Sequence, residues 1–412
     1  MKLFHRLKVP RPIFSICLNT LITHLGFYAM TAVLTVYLSQ VKGLPLSVTA
    51  LVTMIFTVSY RSARFLTGPL LDNLDPFKCM LFGCYLTGIS IALVDFWDSP
   101  VWITVQLIIA GVGYSVRGLS SKAAVSLVGS KDGNSLFYFS NSNMYLNGAA
   151  IAGPVIGTFL LTGPMKSYTL TFVGGFYVLG AILLNLVPPG CDLLDRERKP
   201  VSFWKGYRAV LLDAGFRKVL LFNTIGCFFF TQLFNSFPYL IGTHLNAPEK
   251  LGSLLMLNGI LVVLLQIPVG RWMNTVLSGP RERYRLMLAF LLFGLSFTIN
   301  GVVGSMGGYY VFVALFTLAE MLFIPTIDAF VSTAARPDLR ITYFSVIGLS
   351  TALGEGIGVY TGLQLIQMWS LYGILSYFWL SLALLSGLSL ILYVMLNRSP
   401  VHHKEEGKLW RY

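Results

Sequence analysis

Glu320 stands inside an apolar run, flanked by Phe316, Leu318, Met321 and Leu322. Low-dielectric surroundings penalise the charged form of such a carboxylate, so it can load and release a proton near neutral pH. The other reading of it is a permanent ion pair with an arginine such as Arg117. His24, midway along the first apolar run, has an ordinary pKa of about 6.5 that suits proton exchange, and it can equally be a neutral, hydrogen-bonded side chain. Asp328 follows Glu320 by two helical turns, roughly 80° around the axis, as a gate or a loop-facing acid. Arg61 and Arg64 are three residues apart and share a helix face. Arg61 can pair with a buried acid or hold an anionic group, and Arg64 sits a turn nearer the end of its run. Glu355, beside a face of glycines, suits a pair across helices, and Lys122 suits a snorkelling position. No catalytic constellation gathers at one place, so the residues suggest proton and solute handling rather than an enzyme. The five cysteines lack metal-site spacing and read as small hydrophobes. No metal or cofactor is implied.

These groups need elements to hold them, and the composition says which. Of the 412 residues 55% are hydrophobic and only 11% charged, against about a quarter charged in soluble domains. Apolar runs of about 20 residues span a bilayer. They fall near 13–38, 47–71, 79–96, 101–120, 137–162, 168–188, 219–242, 250–271, 286–303, 308–333, 342–366 and 371–396, and lipid forces each into a helix. The expected fold is therefore an all-α membrane protein with twelve transmembrane helices. The basic opening segment leads into a first helix too long for a cleaved signal.

The net charge of +13 is a topological signal, and no nucleic-acid motif accompanies it. Connections on one side hold 23 Lys and Arg, those on the other only Lys42, Lys166 and Lys250. By the positive-inside rule, both termini and the basic stretch 189–218 are cytoplasmic, in a plasma or inner membrane. Phe203, Trp204 and Tyr207 suggest that part of this stretch lies on the membrane surface. It separates a six-helix bundle at 1–188 from a second at 219–396, with a tail at 397–412. The bundles repeat at an offset near 205. Tyr138-Phe139-Ser140 returns as Tyr343-Phe344-Ser345, and Asn19-Thr20 as Asn223-Thr224. Ala149, Gly153 and Gly157 return as Gly354, Gly358 and Gly362. Spacing four lines small residues along one face, where helix backbones can meet in lipid.

Several segments resemble motifs of the major facilitator superfamily. Gly68-Pro-Leu-Leu-Asp72 resembles its signature loop, although Asn73, Asp75 and Pro76 replace the basic turn that usually follows. Pro268-Val-Gly-Arg271 is similar to the degenerate second copy. Gly153-Pro154-Val-Ile-Gly157 looks like the Gly-Pro-x-x-Gly core of drug/proton antiporters, with Thr158 in place of a second glycine. Gly111-Val-Gly113 fits the end of a third motif, whose arginine is replaced by Leu107. Glu320-Met-Leu-Phe-Ile-Pro325 resembles a stretch of bacterial exporters.

The resemblance implies two six-helix pseudo-repeats that rock about a central site. It makes Gly68, Asp72 and Arg64, with Gly153, Pro154, Gly157 and Glu355, candidates for a conformational latch. Its first and seventh helices line the cavity, which implicates Asn19, Tyr28, Phe229, Gln232 and Asn235, together with Arg61 and Arg117. Glu320, His24 and Asp328 are the proton-coupling candidates. The expected function is proton-coupled efflux of small amphipathic compounds by a monomer, whose partners are the substrate, protons and the lipid bilayer. Export of one dedicated metabolite, such as a metallophore or sugar, is the alternative. A polytopic membrane enzyme or sensor is the alternative of another class.

Overall fold

Lipid offers no partner to a free peptide group, so each apolar run closes its own hydrogen bonds. The computed structural model describes residues 10–71, 74–132, 135–186, 203–278, 281–334 and 340–397. Among these residues every regular element is helical. In chain order the helices are α1 (Arg11–Val36), α2 (Leu46–Leu71), α3 (Pro76–Leu93), α4 (Pro100–Asp132), α5 (Ser135–Thr162), α6 (Thr169–Leu186) and α7 (Phe203–Leu212). They continue as α8 (Ala214–Phe230), α9 (Ser236–Tyr239), α10 (Leu251–Val276), α11 (Arg283–Val302), α12 (Met306–Ala334), α13 (Arg340–Leu371) and α14 (Ser376–Leu396). Twelve stretches, from Arg11–Val41 to Ser376–Leu396, are long and apolar enough to cross a membrane, so the all-helical, twelve-span fold expected from the sequence is present. Large apolar side chains such as Phe82, Phe159, Leu264 and Leu384 are exposed, while Asn19, Gln232 and Arg117 are buried. That inversion suits lipid as the solvent.

Contacts divide the chain into two units. Unit 1 comprises Met1–Leu44 and Ile55–Val201; unit 2 comprises Pro45–Met54 and Ser202–Tyr412. In unit 1, α1 packs on α5 and α6, and α3 on α4 and α6; in unit 2, α8 packs on α13, α11 on α12 and α14, and α10 on α12. The glycine faces make the two matching seams. A Cβ at Gly153 would strike Tyr28, and one at Gly157 the Ala29 carbonyl; one at Gly354 would strike the Thr224 carbonyl, and one at Gly358 the Phe228 carbonyl and the Thr231 side chain. Removing side chains there lets backbones touch, which is how helices associate in lipid.

Polar ties reinforce each seam. Asn19 Nδ2 donates to the Gly180 carbonyl at 3.0 Å, and Asn223 Nδ2 donates to Thr351 Oγ1 at 3.0 Å. At the far end of α3, Asp95 accepts the Tyr37 hydroxyl and, through Oδ2, the Thr171 amide at 2.6 Å and hydroxyl at 2.8 Å. This carboxylate joins α1, α3 and α6, a role that no local sequence pattern announces. Asp213 caps α8 by accepting the Phe216 amide at 3.0 Å and also takes the Tyr343 hydroxyl at 2.7 Å. In the amphipathic α7, Tyr207 and Val210 are buried and Leu211 and Leu212 exposed; the side chains of Phe203 and Trp204 lie outside the described residues.

Candidate functional site

Unit 1 buries positive charge. Arg117 on α4 is 1% exposed, and its Nη2 lies 3.4 Å from His24 Nε2. His24 Nδ1 is 2.8 Å from the Thr20 carbonyl. A carbonyl only accepts, so Nδ1 carries the hydrogen, and Nε2 is left to accept from Arg117 and from the Tyr114 hydroxyl at 3.5 Å. The Arg117 guanidinium carbon lies 5.4 Å from the Tyr114 ring centre. That ring stacks on Phe27 at 4.4 Å and meets Tyr60 edge-on at 5.7 Å. Arg61 lies over Tyr60 at 5.1 Å, and Tyr28 is tilted against His24 at 6.2 Å. Arg117 Nε and Nη1 and Arg64 Nε are buried with no hydrogen-bond partner among the described residues. A buried charge that loses its partner typically costs about 3–5 kcal/mol. The cation–π contact with Tyr114 offsets part of such a cost, about 2 kcal/mol when desolvated.

Unit 2 holds a part-buried carboxylate beside a cluster of aromatic rings. Glu320 on α12 accepts from Asn258 Nδ2 on α10 at 2.9 Å, and the same amide nitrogen lies 2.9 Å from Thr317 Oγ1. Within the unit no described Lys or Arg forms an ion pair with Glu320. One turn away begins a run of rings. Phe293 meets Phe316 at 5.0 Å and Phe323 at 6.2 Å, and Phe297 stacks on Trp379 at 6.1 Å. The amide holds the carboxylate by one neutral hydrogen bond and leaves its charge uncompensated within the unit.

The remaining candidates fall in different places. Phe229 is fully buried against Phe290, Phe293 and Phe297, a packing position. Gln232 is fully buried and committed to the Phe228 and Gly358 carbonyls and to Ser236. Asn235 caps a break in the seventh span, bonding Thr231 Oγ1 at 2.9 Å where α8 gives way to a 3₁₀ turn at Thr231–Leu233 and then to α9. Asp328 is exposed on α12, and Glu355 is buried on α13 next to Gly354. Pro154 lies inside α5 beside Gly153. Gly68 is in the last turns of α2, where side-chain surroundings lie outside the described residues, as does Asp72 altogether.

Asn258, Tyr60, Tyr114 and Phe27 are the members that the sequence pattern alone does not nominate. Two of them carry a signal in hindsight: Tyr114 precedes Arg117 by one helical turn, and Asn258 is a polar residue in an apolar run.

Two units of membrane-length helices, each holding ionisable groups within it, define a polytopic membrane protein of the transporter class. The chain belongs to the Major Facilitator Superfamily, whose family model matches residues 16–359. It is 24% identical over 296 residues to the multidrug resistance protein MdtH of Proteus mirabilis, covering 72% of each chain. It is also 24% identical to a Na(+), Li(+), K(+)/H(+) antiporter of Planococcus maritimus, over 81% of this chain and 84% of the relative. The structure of the nucleoside transporter NupG aligns over 94% of this chain and all of that one, with TM-score 0.78 and 11% identity, a likeness of fold.

Proposed function

We propose that this transporter exports small amphipathic organic compounds, driven by protons moving the opposite way, through alternating access of two bundles at 1–188 and 219–396. The observation that carries the reading is Glu320. Its carboxylate is hydrogen-bonded by Asn258 and has no ion-pair partner within its unit among the described residues. A group so placed can change protonation without breaking an ion pair there. The names of two relatives, a multidrug resistance protein and a cation/proton antiporter, support proton exchange and export as the family setting. Gating is assigned to Gly68, Asp72 and Arg64, and to Gly153, Pro154, Gly157 and Glu355. The 23-to-3 split of basic residues supports cytoplasmic termini in a cell membrane, with 189–218 as the cytoplasmic connection.

His24 takes a different role in this reading from Glu320. With Nδ1–H on the Thr20 carbonyl and Nε2 toward Arg117, it works best as a neutral acceptor that orients the guanidinium. Dedicated export of one metabolite is the second reading, and the buried arginine of unit 1 favours it if that metabolite is acidic.

The test is transport in proteoliposomes under an imposed proton gradient, with a panel of cationic, neutral and anionic dyes. Native protein should accumulate a substrate uphill. Glu320→Gln should keep downhill exchange of that substrate and lose the proton drive. Uphill transport by the variant with undiminished proton dependence would falsify the assignment of Glu320.

A further inference from the structure

Arg117 is the largest charged side chain sealed among the described residues of unit 1, and its hydrogen-bonding capacity is mostly unused. Nη2 faces the lone pair of His24 Nε2 at 3.4 Å, a long contact to a neutral acceptor. Nε and Nη1 have no partner among the described residues, and a guanidinium cannot shed its charge in a protein. Arg64 on α2 likewise buries an unpartnered Nε. The fully buried Tyr177 hydroxyl lacks a partner as well; Tyr177 packs beside Gly26 of α1 and Gly88 of α3, while Arg117 packs beside Gly83 of α3 and reaches His24 of α1. All of these groups are hydrogen-bond donors, and buried donors demand acceptors. The tautomer of His24 withholds a further positive charge from the site. Tyr114 supports the guanidinium from one side and presents no anion of its own.

We infer that Arg117 binds an anion inside unit 1, with His24 and Tyr114 fixing the guanidinium and Arg64 adding positive potential. The chemistry is that of a singly charged acceptor small enough to reach an enclosed guanidinium. Such an acceptor is either an inorganic halide or the acid group of the transported solute. In the second case the inference deepens the transport reading by giving the substrate a negative charge, and it rests on that reading only to this extent.

Melting of the purified full-length protein in detergent tests it without requiring transport. Ionic strength is held constant with bulky, hydrophilic gluconate. Chloride replaces it in one arm, benzoate in a second, and neutral benzamide is added in a third. A ligand bound only by the folded state raises the melting temperature, and a shift of about 3 °C at saturation is expected for a chain of this size. Chloride raising the midpoint identifies an inorganic ion; benzoate doing so while chloride and benzamide do not identifies a solute acid group. Arg117→Gln should remove the anion-specific shift, and Glu320→Gln should retain it, which separates this inference from the proton-coupling assignment. If Arg117→Gln does not fold, Arg117→Lys keeps charge without the planar fork and should need at least about tenfold more anion for the same shift. No shift of the native protein by either anion overturns the inference, as does an unchanged anion response in the arginine variants.

Discussion

Asn19 and Asn223 hold corresponding places in the two repeats, on α1 and α8, and each fastens its helix to a neighbour. Beyond them the interiors diverge. Five residues after Asn19 comes His24, with Arg117 against it; six residues after Asn223 comes Phe229, surrounded by Phe290, Phe293 and Phe297. Unit 1 therefore sets a cation against a tyrosine and an imidazole, and unit 2 sets an acid against an amide beside a cluster of phenylalanines. The common part is the backbone seam, where glycine permits contact. Duplicated scaffolds need to preserve that seam to stay folded, while the interior groups are free to take opposite charges. A carrier that exchanges a proton for a solute needs two such chemically distinct places.

The comparison can be broken most severely at Glu320. Glu320→Gln should lower proton-driven uphill transport by about two orders of magnitude or more, while His24→Gln should leave proton drive in place; flux under a pH jump measures both. Loss of drive only in the histidine variant would move the coupling site to unit 1. Next in size is the aromatic interior. Phe293→Ala removes a ring that touches Phe229, Phe297, Phe316 and Phe323, and should cost about 3–5 kcal/mol in reversible unfolding. The seams come third. Gly157→Leu and Gly354→Leu each drive a side chain into a neighbouring carbonyl, and each should cost about 1–3 kcal/mol; a large loss in one and none in the other would show that the repeats are unequal at the seam. Smallest are Asn19→Ala and Asn223→Ala. Interhelical hydrogen bonds in membranes are worth about 0.6 kcal/mol on average and 1.7 at most, so melting should register similar, modest losses at the two positions.

Much of the scaffold is legible in the residues themselves. Twelve apolar runs emerge because lipid imposes one length on each of them, and the glycine faces emerge because spacing four marks one side of a helix. Glu320 is visible because a carboxylate in an apolar run is costly to keep and so marks either a pair or a function. Its partner is less visible, since Asn258 lies 62 residues away on another helix. The contact between His24 and Arg117 spans 93 residues, beyond any local periodicity. Phe229 reads as a cavity residue because the resemblance puts its helix beside the cavity, and in a run of three phenylalanines hydrophobicity cannot say which ring turns inward. Gln232 and Asn19 look like substrate contacts for a related reason: a polar side chain in a membrane helix binds either a ligand or another helix, and only the fold distinguishes the two.

The bond from Asn19 to Gly180 has a consequence for how the protein is made. Its two ends are 161 residues apart. At synthesis rates of about 5–20 residues per second, α1 waits roughly 8–30 s for the carbonyl that accepts its amide. The residues that meet His24 on α4 also emerge after it. During that interval the first helix must keep Asn19 in or beside the bilayer without the carbonyl it finally meets. Birth order thus leaves α1, the first helix to be made, waiting for α5 and α6 to complete the surface it packs on.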